Sequence, residues 1–451
     1  MKTYNYDALV IGFGKGGKTL AGKLAKKGSK VALVEQDKGM YGGTCINVGC
    51  IPSKSLIHSA AEAKVQMDSP KADTYKKAVE EKRRLTGMLR KKNYDKLNTL
   101  ENVTIYDGQA AFAGPKLVEV KAEKETFRIS ADKIFINTGA TPRIPGIEGI
   151  KDTAGVYTSA GLMDLDIFPE RLVIIGGGYI GLEFASMYSG FGSKVTVIQD
   201  GSTFLPKEDT DIASEIKKIF EERGVEFRLG AKTKRIENGP TVIADWNEQE
   251  IRIEADAVLV ATGRVPNTAE LNCEAAGVEL TPRGAVKVDE LLRTTAEGIW
   301  AMGDVAGGLQ HTYVSLDDSR IVEAQLFGGK DYNTSMRKNV PYSVFLATPY
   351  SRVGLNEREA REAGYQVKIA MLPAAAIPKA QVLKAPKGVL KAVIDEKTDK
   401  ILGVMLLCEE SYEMINIIKL AMDMDADYKV LRDQIFTHPT MSEALNDLFT
   451  I

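Results

Sequence analysis

The sequence G-G-T-C-I-N-V-G-C-I-P-S-K occupies residues 42–54 and places two cysteines, Cys45 and Cys50, between glycines and a proline. The apolar residues that follow predict that the pair lies at the start of a helix. There, free backbone N–H groups and the helix dipole favour a thiolate. Lys54 lies one turn beyond Cys50 and adds a positive charge. These features predict a cysteine pair that alternates between dithiol and disulfide.

Two other interpretations of the pair are open: two small buried residues, or half of a zinc site. Zinc needs two further ligands at suitable spacing. The chain has 3 histidines and, besides the pair, only Cys273 and Cys408, all scattered along the sequence. We therefore expect redox chemistry at the pair, no metal site, and inert buried thiols at Cys273 and Cys408.

A glycine motif lies upstream of the cysteines. Gly12, Gly14 and Gly17 form G-x-G-x-x-G directly after the apolar run Ala8–Ile11, and a later apolar strand ends at Glu35. The pattern predicts a tight turn that brings the backbone close to a pyrophosphate at a helix N-terminus. The acid at the end of the second strand would accept hydrogen bonds from a ribose. The segment therefore predicts a dinucleotide-binding fold.

The same pattern recurs further along the chain. Gly176, Gly178 and Gly181 repeat the motif after an apolar strand, and Gln199 stands where Glu35 stands in the first copy. Two nucleotide folds and one cysteine pair predict two cofactors that pass electrons to sulfur.

Composition limits the remaining possibilities. The chain of 451 residues is 44% hydrophobic and 27% charged with a net charge of −2, which gives no case for nucleic-acid or membrane binding. The basic helix predicted over residues 74–100 is interrupted by acids and is interpreted as a solvated face. With 4 cysteines, no signal peptide and no long apolar run, a cytoplasmic protein is expected.

The stretch 42–54 closely resembles the active site of the flavoprotein pyridine-nucleotide disulfide oxidoreductases, the family of glutathione reductase, lipoamide dehydrogenase and mercuric reductase. The resemblance covers essentially the whole chain. It implies an α/β fold with two Rossmann-like dinucleotide-binding domains, one inserted in the other, and a C-terminal α+β dimerisation domain. The implied segments are 1–150 and 265–337 for FAD, 151–264 for NAD(P)H, and 338–451 for dimerisation.

By the same resemblance, FAD contacts come from the first glycine motif, the cysteine stretch, a Thr-Gly segment and the motif I-W-A-M-G-D-V at 299–305, whose aspartate binds the ribityl chain. The implied FAD residues are Gly12, Gly14, Gly17, Glu35, Gly43, Thr44, Lys54, Thr138, Gly139 and Asp304.

The second glycine motif would bind the nicotinamide dinucleotide. The implied residues are Gly176, Gly178, Tyr179, Gly181, Gln199 and Gly263. NADH is expected rather than NADPH, because residues 199–201 read Gln-Asp-Gly and offer no cation for a 2′-phosphate.

The resemblance also implies catalytic roles. Cys50 is the sulfur next to the flavin, and Cys45 is the exposed sulfur that meets the substrate. Lys54 lies near the flavin and pairs with Glu183. Tyr179 covers the flavin until nicotinamide displaces it.

The C-terminal sequence H-P-T-M-S-E at 438–443 matches the family's H-P-x-x-S-E. In the family this histidine comes from the partner subunit, so His438, oriented by Glu443, implies a homodimer that shares its active site. His311 is expected inside the helix after Asp304, with a packing or flavin-edge role.

Within the family the chain most resembles the reactive-chlorine-resistance flavoproteins and bacterial hypothiocyanous acid reductases. Mercuric reductase is disfavoured because it carries a second C-terminal cysteine pair, whereas this chain ends N-D-L-F-T-I. The stretches that carry the narrower resemblance are Met40-Tyr41, Gln310–Val322, Arg337–Phe345 and Leu431–Phe436.

This resemblance predicts an NADH-dependent FAD enzyme that reduces a small inorganic oxidant, hypothiocyanous acid, to thiocyanate. The expected chemistry is attack by a Cys45 thiolate, with His438 supplying a proton to the departing hydroxide. Three alternatives stay open: a lipoamide-type disulfide reductase, a Cu(II) reductase, and a structural flavoprotein subunit of a complex.

Overall fold

A computed structural model describes residues 1–63, 71–329 and 331–451. Helices and strands are numbered in chain order. Short 3-10 turns lie at Lys38–Met40, Cys273–Ala276, Gly303–Ala306, Thr334–Met336 and Ala374–Ala376.

The first sheet has seven strands. They are β1 (Thr3–Ile11), β2 (Val31–Glu35), β3 (Val103–Asp107), β4 (Gln109–Gly114), β5 (Leu117–Lys121), β6 (Thr126–Ile136) and β17 (Ile299–Ala301). The order β3-β2-β1-β6 is parallel, β17 also pairs with β6 in parallel, and β5 and β4 extend the sheet in antiparallel fashion. The helices of these segments are α1 (Lys15–Lys26), α2 (Thr44–Asn47), α3 (Cys50–Ala63), α4 (Lys71–Asn98) and α8 (Thr312–Phe327).

The second sheet is five-stranded and parallel, in the order β11-β10-β9-β15-β8. Its strands are β8 (Val156–Tyr157), β9 (Arg171–Ile175), β10 (Lys194–Gln199), β11 (Glu226–Leu229) and β15 (Ala257–Val260), and its helices are α5 (Ser159–Met163), α6 (Tyr179–Phe191) and α7 (Thr210–Glu221). An antiparallel sheet accompanies it, formed by β12 (Lys232–Glu237), β13 (Thr241–Trp246) and β14 (Gln249–Glu254).

The second sheet interrupts the first. The chain leaves the first sheet after β6, builds the second, and returns as β17 beside β6. The two crossings pair with each other in a two-stranded antiparallel ribbon of β7 (Ala140–Pro142) and β16 (Arg264–Pro266). This connectivity confirms the predicted fold class, in which one nucleotide fold is inserted in the other.

The C-terminal region forms an antiparallel sheet in the order β18-β19-β22-β21-β20. Its strands are β18 (Tyr342–Val344), β19 (Tyr350–Gly354), β20 (Val367–Pro373), β21 (Val389–Asp395) and β22 (Ile401–Leu407). Its helices are α9 (Glu357–Glu362), α10 (Pro378–Val382), α11 (Ser411–Asp423), α12 (Lys429–Arg432) and α13 (Ala444–Leu448).

The central strands are apolar without alternation because helices cover both faces of a parallel sheet. Every residue of Val31–Glu35 is buried, as is every residue of Leu172–Ile175 and of Ala257–Val260. The glycine turns then follow buried strands directly, so that α1 and α6 each begin at the carboxyl edge of their own sheet.

Two predictions about helices are corrected. His311 does not lie inside α8; it is the N-cap residue that precedes it. Helix α4 is not only a solvated face, because Lys82 is 5% exposed and its Nζ lies 2.7 Å from an Asp164 carboxylate oxygen. A buried ammonium needs such a partner. Within the described ranges, no helix is both long and apolar enough to cross a membrane.

Candidate active site

A cavity of about 3010 Å³ opens between the two nucleotide folds and the C-terminal sheet. Its wall brings together most of the residues predicted from the sequence. Those that line it are Cys45, Cys50, Lys54, Glu183, Tyr179, Gly12, Gly14, Glu35, Gly43, Thr44, Thr138, Gly139 and Asp304. The volume exceeds the range of about 300–1,000 Å³ common for drug-sized ligands, so there is room for a larger one.

The two cysteines belong to consecutive helices. Cys45 lies in α2 and is half-buried, while Cys50 is the first residue of α3 and is the more exposed of the two. The sequence had predicted Cys45 to be the exposed sulfur. The Cys50 sulfur lies 3.6 Å from the hydroxyl oxygen of Thr312, at the start of α8.

A hydrogen bond from the Cys45 thiol lowers the pKa of Cys50 to about 6, with further help from Thr312 and the charge of Lys54. The same hydrogen bond, together with burial, raises the pKa of Cys45. These opposite shifts favour negative charge on Cys50 over Cys45 in the reduced pair. Attack by a Cys45 thiolate stays a prediction.

The predicted contact between Lys54 and Glu183 is present. The Lys54 ammonium donates to both carboxylate oxygens of Glu183, at 2.8 and 2.7 Å. The Glu183 carboxylate also accepts from the backbone N–H of Phe345 at 3.0 Å, and Lys54 lies 4.7 Å from the Phe345 ring centroid. The ion pair thus joins α3 to α6 and fixes a positive charge on the cavity wall one turn beyond Cys50.

The first glycine turn fits a dinucleotide. A Cβ atom on Gly12 would lie 2.4 Å from the carbonyl oxygen of Asn137, and one on Gly14 would lie 2.5 Å from its Oδ1 atom. The turn is therefore built for bare backbone that can approach a pyrophosphate closely. The Glu35 carboxylate accepts from the backbone N–H of Phe13 at 2.9 Å and lines the same cavity.

Asp304 also suits a polar ligand. It lines the cavity, and burial raises the pKa of its carboxyl while the nearby charge of Arg264 opposes that rise. A half-buried carboxylate of this kind is suited to accept from ligand hydroxyls.

The second glycine turn reaches this cavity through Tyr179 and not through its glycines. Gly176 has φ +117°, and an added Cβ on Gly181 would lie 2.0 Å from the Gly176 carbonyl oxygen. Gln199 donates its side-chain N–H groups to the carbonyl oxygens of Gly201, at 2.9 Å, and Thr203, at 2.8 Å. Among the described residues, the lining includes neither these positions nor Gly17, Gly178 and Gly263.

Family comparisons agree with this geometry. A family model described as pyridine nucleotide-disulphide oxidoreductase matches residues 6–319, and the dimerisation domain of the same family matches residues 340–449. The chain belongs to the pyridine nucleotide-disulphide oxidoreductases. Members of this family depend on FAD and NAD(P)H.

Individual relatives are similar over nearly their whole length. The chain is 50% identical, over 99% of both chains, to the probable pyridine nucleotide-disulfide oxidoreductase RclA of Escherichia coli K12. It is 34% identical to mercuric reductase of Lysinibacillus sphaericus, over 98% of this chain and 81% of that one. A solved Cu(II) complex of the HOCl-induced flavoprotein disulfide reductase RclA from E. coli superposes with a TM-score of 0.94 at 50% identity, covering 99% of each chain.

The histidine motif of this pyridine nucleotide-disulphide oxidoreductase lies outside the cavity of its own chain. The His438 Nδ1 atom lies 2.7 Å from a Glu443 carboxylate oxygen, so the predicted contact between them is present. The His438 side chain is 71% exposed. Among the described residues, neither His438 nor Glu443 lines the cavity that holds the cysteines.

Several residues of the site were missed from the sequence. Thr312 beside Cys50 and Phe345 beside Glu183 lie in stretches that carried the narrower family resemblance, but nothing in the sequence pointed to their contacts. Asn137 links the first glycine turn to Met302. The sequence could have indicated this residue, because it is a polar residue before Thr-Gly at the position where the second fold has Ala261. Cys273 and Cys408 are buried, as predicted.

Proposed function

We propose that this protein is an NADH-dependent flavoprotein reductase that reduces hypothiocyanous acid to thiocyanate and so defends a cell against oxidants. The observation that supports it most is the full-length 50% identity to RclA, which is described as an HOCl-induced flavoprotein disulfide reductase. The cavity adds a cysteine pair with a Cys50 thiolate and a fixed Lys54–Glu183 ion pair.

The first glycine turn, Glu35 and Asp304 would hold FAD, and the second turn with Gln199 would hold NADH. When bound, FAD passes electrons from NADH to the cysteine disulfide. Lys54 contributes a positive charge at the cavity wall, where negative charge builds up during that transfer. Glu183 keeps the ammonium in place through both of its carboxylate oxygens.

Cys45 is the proposed nucleophile and Cys50 the resolving sulfur. The Cys45 sulfur attacks the sulfur of HO–S–C≡N, the S–O bond breaks, and the product is a Cys45–S–S–C≡N adduct plus water. The Cys50 thiolate then attacks the Cys45 sulfur and expels thiocyanate, a weakly basic leaving group that needs no proton. The dithiol loses two electrons and hypothiocyanous acid gains them.

The first of these steps, the attack of Cys45 on hypothiocyanous acid, requires a proton transfer. Because the pKa of Cys45 is raised and that of Cys50 is lowered, Cys45 would have to lose a proton before it attacks. His438 of the partner subunit would accept that proton and deliver it to the departing hydroxide. General acid–base catalysis of this kind contributes about 10²–10⁴-fold.

We further propose a cytoplasmic homodimer that shares this active site between its subunits. Its support is the exposed His438 together with the match of residues 340–449 to a dimerisation domain. The proposed domain segments are 1–150, 151–264, 265–337 and 338–451, and their support is the division of most strands among separate sheets.

A second candidate is reduction of Cu(II), because the solved RclA structure is a Cu(II) complex. In the described part of the chain, no group of three or more His, Cys, Asp or Glu side chains is arranged to hold a metal. Copper would therefore be a substrate met by the cysteine pair, and one dithiol would reduce two Cu(II) ions to Cu(I) while forming the disulfide.

The decisive experiment measures NADH oxidation by the purified holoenzyme with hypothiocyanous acid, lipoamide, glutathione disulfide and Cu(II) as separate oxidants. Hypothiocyanous acid is expected to give the highest kcat/KM. Cys45→Ser is expected to abolish turnover, and Cys408→Ser, which changes a buried thiol outside the cavity, is the matched control. A higher kcat/KM with lipoamide or Cu(II) than with hypothiocyanous acid would identify that oxidant as the substrate instead. The absence of turnover with every oxidant tested would favour a structural subunit of a complex.

The assignment of the two sulfurs has its own test. Cys45→Ser leaves Cys50 as a lone thiolate and is expected to show a long-wavelength charge-transfer band with oxidised flavin, whereas Cys50→Ser is expected to show none. The opposite pair of spectra would reverse the assignment.

A further inference from the structure

Tyr179, the first residue of α6, is held at the cavity wall by hydrogen bonds of its hydroxyl. Its ring lines the cavity, but its hydroxyl donates a hydrogen bond to the Glu208 carboxylate and lies 3.2 Å from the hydroxyl of Tyr342. The Tyr179 and Tyr342 rings pack with their centroids 5.5 Å apart. Burial and the neighbouring carboxylate raise the pKa of Tyr179, so it remains a protonated donor.

Glu208 is a buried carboxylate with four donors. Its side chain is 0% exposed. One oxygen accepts from Tyr179 and, at 2.5 Å, from Tyr342, and the other accepts from Tyr350 and, at 3.3 Å, from Arg352. Glu208 follows β10 in the second fold, whereas Tyr342, Tyr350 and Arg352 belong to β18 and β19 of the C-terminal sheet.

The arrangement lets Tyr179 leave without exposing an unpaired charge. A buried carboxylate without partners would be strongly destabilising. If the Tyr179 hydroxyl moves away, the oxygen that it leaves keeps Tyr342, and the other oxygen keeps Tyr350 and Arg352. Release of Tyr179 breaks only the hydrogen bonds of its own hydroxyl. The bond to Glu208 has a charged acceptor and is therefore one of the stronger hydrogen bonds, so it holds Tyr179 in the observed conformation.

We propose that Glu208 is a positioning residue that latches Tyr179 in the observed conformation, and that nicotinamide dinucleotide binds only after this latch is released. The inference rests on the proposed function, in which the second fold binds NADH, and on the role that the family resemblance implies for Tyr179, namely that it covers the flavin until nicotinamide displaces it. The latched fraction of molecules is not competent to bind, so the apparent dissociation constant is raised in inverse proportion to the released fraction. Side chains of the C-terminal sheet thereby set the affinity of the second fold for its dinucleotide.

The test is equilibrium binding of NAD⁺, which is not turned over, to the oxidised holoenzyme by titration calorimetry. Tyr179→Phe keeps the ring and removes the latch hydroxyl, so its Kd is expected to fall about tenfold, the size of one charge-assisted hydrogen bond. Tyr342→Phe removes the donor that stays on the Glu208 oxygen vacated by Tyr179, so release is disfavoured and Kd is expected to rise by about twofold to threefold.

Tyr188→Phe is the matched control. Tyr188 lies on the same helix, and its hydroxyl donates to the Leu162 carbonyl oxygen at 2.8 Å and lies 3.1 Å from the Tyr75 hydroxyl, away from the cavity lining. Its removal is expected to leave Kd unchanged. A Kd for Tyr179→Phe equal to the wild-type value would overturn the proposal, as would an equal decrease in Tyr188→Phe.

A kinetic readout separates the latch from the substrate assignment. In anaerobic stopped-flow, the NADH concentration that half-saturates flavin reduction is expected to fall in Tyr179→Phe by the same factor as Kd. Tighter NAD⁺ binding in a protein that fails to reduce hypothiocyanous acid would keep the latch and reject the proposed substrate. Glu208→Gln, which keeps the shape and removes the charge, is expected to bind NAD⁺ with a Kd between those of Tyr179→Phe and wild type, and a Kd at or above the wild-type value would count against the latch.

Discussion

The two nucleotide folds share a glycine spacing but differ in what holds the glycine turn. In the first fold, Asn137 accepts from the backbone N–H of Gly17 at 2.8 Å and donates to the Met302 carbonyl oxygen at 2.7 Å. The corresponding residue of the second fold is Ala261, which has no side chain that could make such a bridge. One asparagine therefore fastens the first turn to the segment that carries Asp304, while the second turn relies on its own backbone.

The first glycine turn is also more closely packed than the second. The backbone N–H of Gly16 donates to the Ser315 hydroxyl at 3.1 Å, so α1 is also bonded to α8. An added Cβ on Gly14 would collide with Asn137, whereas one on Gly178 would meet no atom within 4 Å. The comparison teaches that one motif serves two purposes: a clamped turn suits a cofactor that stays, and an open turn suits one that exchanges at every turnover.

The largest expected effect comes from adding one methyl group to each turn. Gly14→Ala forces Asn137 to move and is expected to lower the FAD content of the purified protein to about a tenth or less, since overpacking costs about 1–3 kcal/mol and the methyl group also blocks the pyrophosphate. Gly178→Ala is expected to keep full FAD content and to weaken NAD⁺ binding about tenfold. Flavin absorbance and calorimetry measure the two quantities. Equal FAD content in both variants would contradict the comparison.

Asn137→Ala makes the first fold resemble the second. It leaves the Gly17 N–H and the Met302 carbonyl oxygen without their side-chain partner, and it is expected to lower the free energy of unfolding by about 2–4 kcal/mol and to weaken FAD binding. Denaturant titration of the holoenzyme measures the change. Asn102→Ala, which removes an exposed side chain with one long hydrogen bond of 3.5 Å, is the control and is expected to change it by less than about 0.5 kcal/mol.

We expect the preference for NADH over NADPH to depend on Gln199, which stands in the second fold where Glu35 stands in the first. Its N–H groups are bound to loop carbonyl oxygens, which leaves its Oε1 atom as an acceptor for a ribose hydroxyl. A 2′-phosphate has no proton to donate to that oxygen, so kcat/KM is expected to be at least about tenfold higher with NADH than with NADPH. Gln199→Ala is expected to lower the ratio of kcat/KM with NADH to kcat/KM with NADPH. Equal efficiencies in the wild-type enzyme would show that another residue offsets the phosphate charge.

The smallest effect is a pH dependence that only the first fold should show. Burial raises the pKa of Glu35, while backbone N–H groups, with that of Phe13 foremost, oppose the rise. Ribose hydroxyls bind the ionised carboxylate, so FAD affinity is expected to fall as the pH decreases through a pKa above the ordinary glutamate value. A decrease of about fivefold is expected between about pH 7 and pH 5.

Gln199 does not titrate, so the second fold has no matching ionisation. Glu35→Gln gives the first fold an equally uncharged residue and is expected to make its FAD affinity independent of pH over the same interval. If Glu35→Gln lost affinity in acid as steeply as wild type, the dependence would belong to another group.

Local patterns explain what could be predicted. Apolar runs followed by glycine turns identified both parallel sheets, and the motif after residue 298 identified the return to the first sheet. Family motifs correctly paired Lys54 with Glu183 and His438 with Glu443.

The missed features depend on contacts between distant parts of the chain. Glu208 lies in a loop that reads as an exposed acid, and its burial depends on three residues more than 130 positions later. The lowered pKa of Cys50 has as its first cause a hydrogen bond from the Cys45 thiol, which spacing alone cannot reveal. The antiparallel sheet β12–β14 and helix α7 were likewise not anticipated.

The ribbon of β7 and β16 has a consequence for how this enzyme could have been assembled and could be rebuilt. Pro142 and Arg264 are direct neighbours across this ribbon. The inserted segment therefore leaves the first nucleotide fold and returns to it at points about 5 Å apart. Recombination can exchange such a segment without changing the distance between the two points at which it joins the first nucleotide fold. Replacing residues 143–263 with the matching segment of a relative that has another coenzyme preference and keeps a glutamate at position 183 should therefore alter the electron donor while the ion pair with Lys54 beside the cysteines is kept.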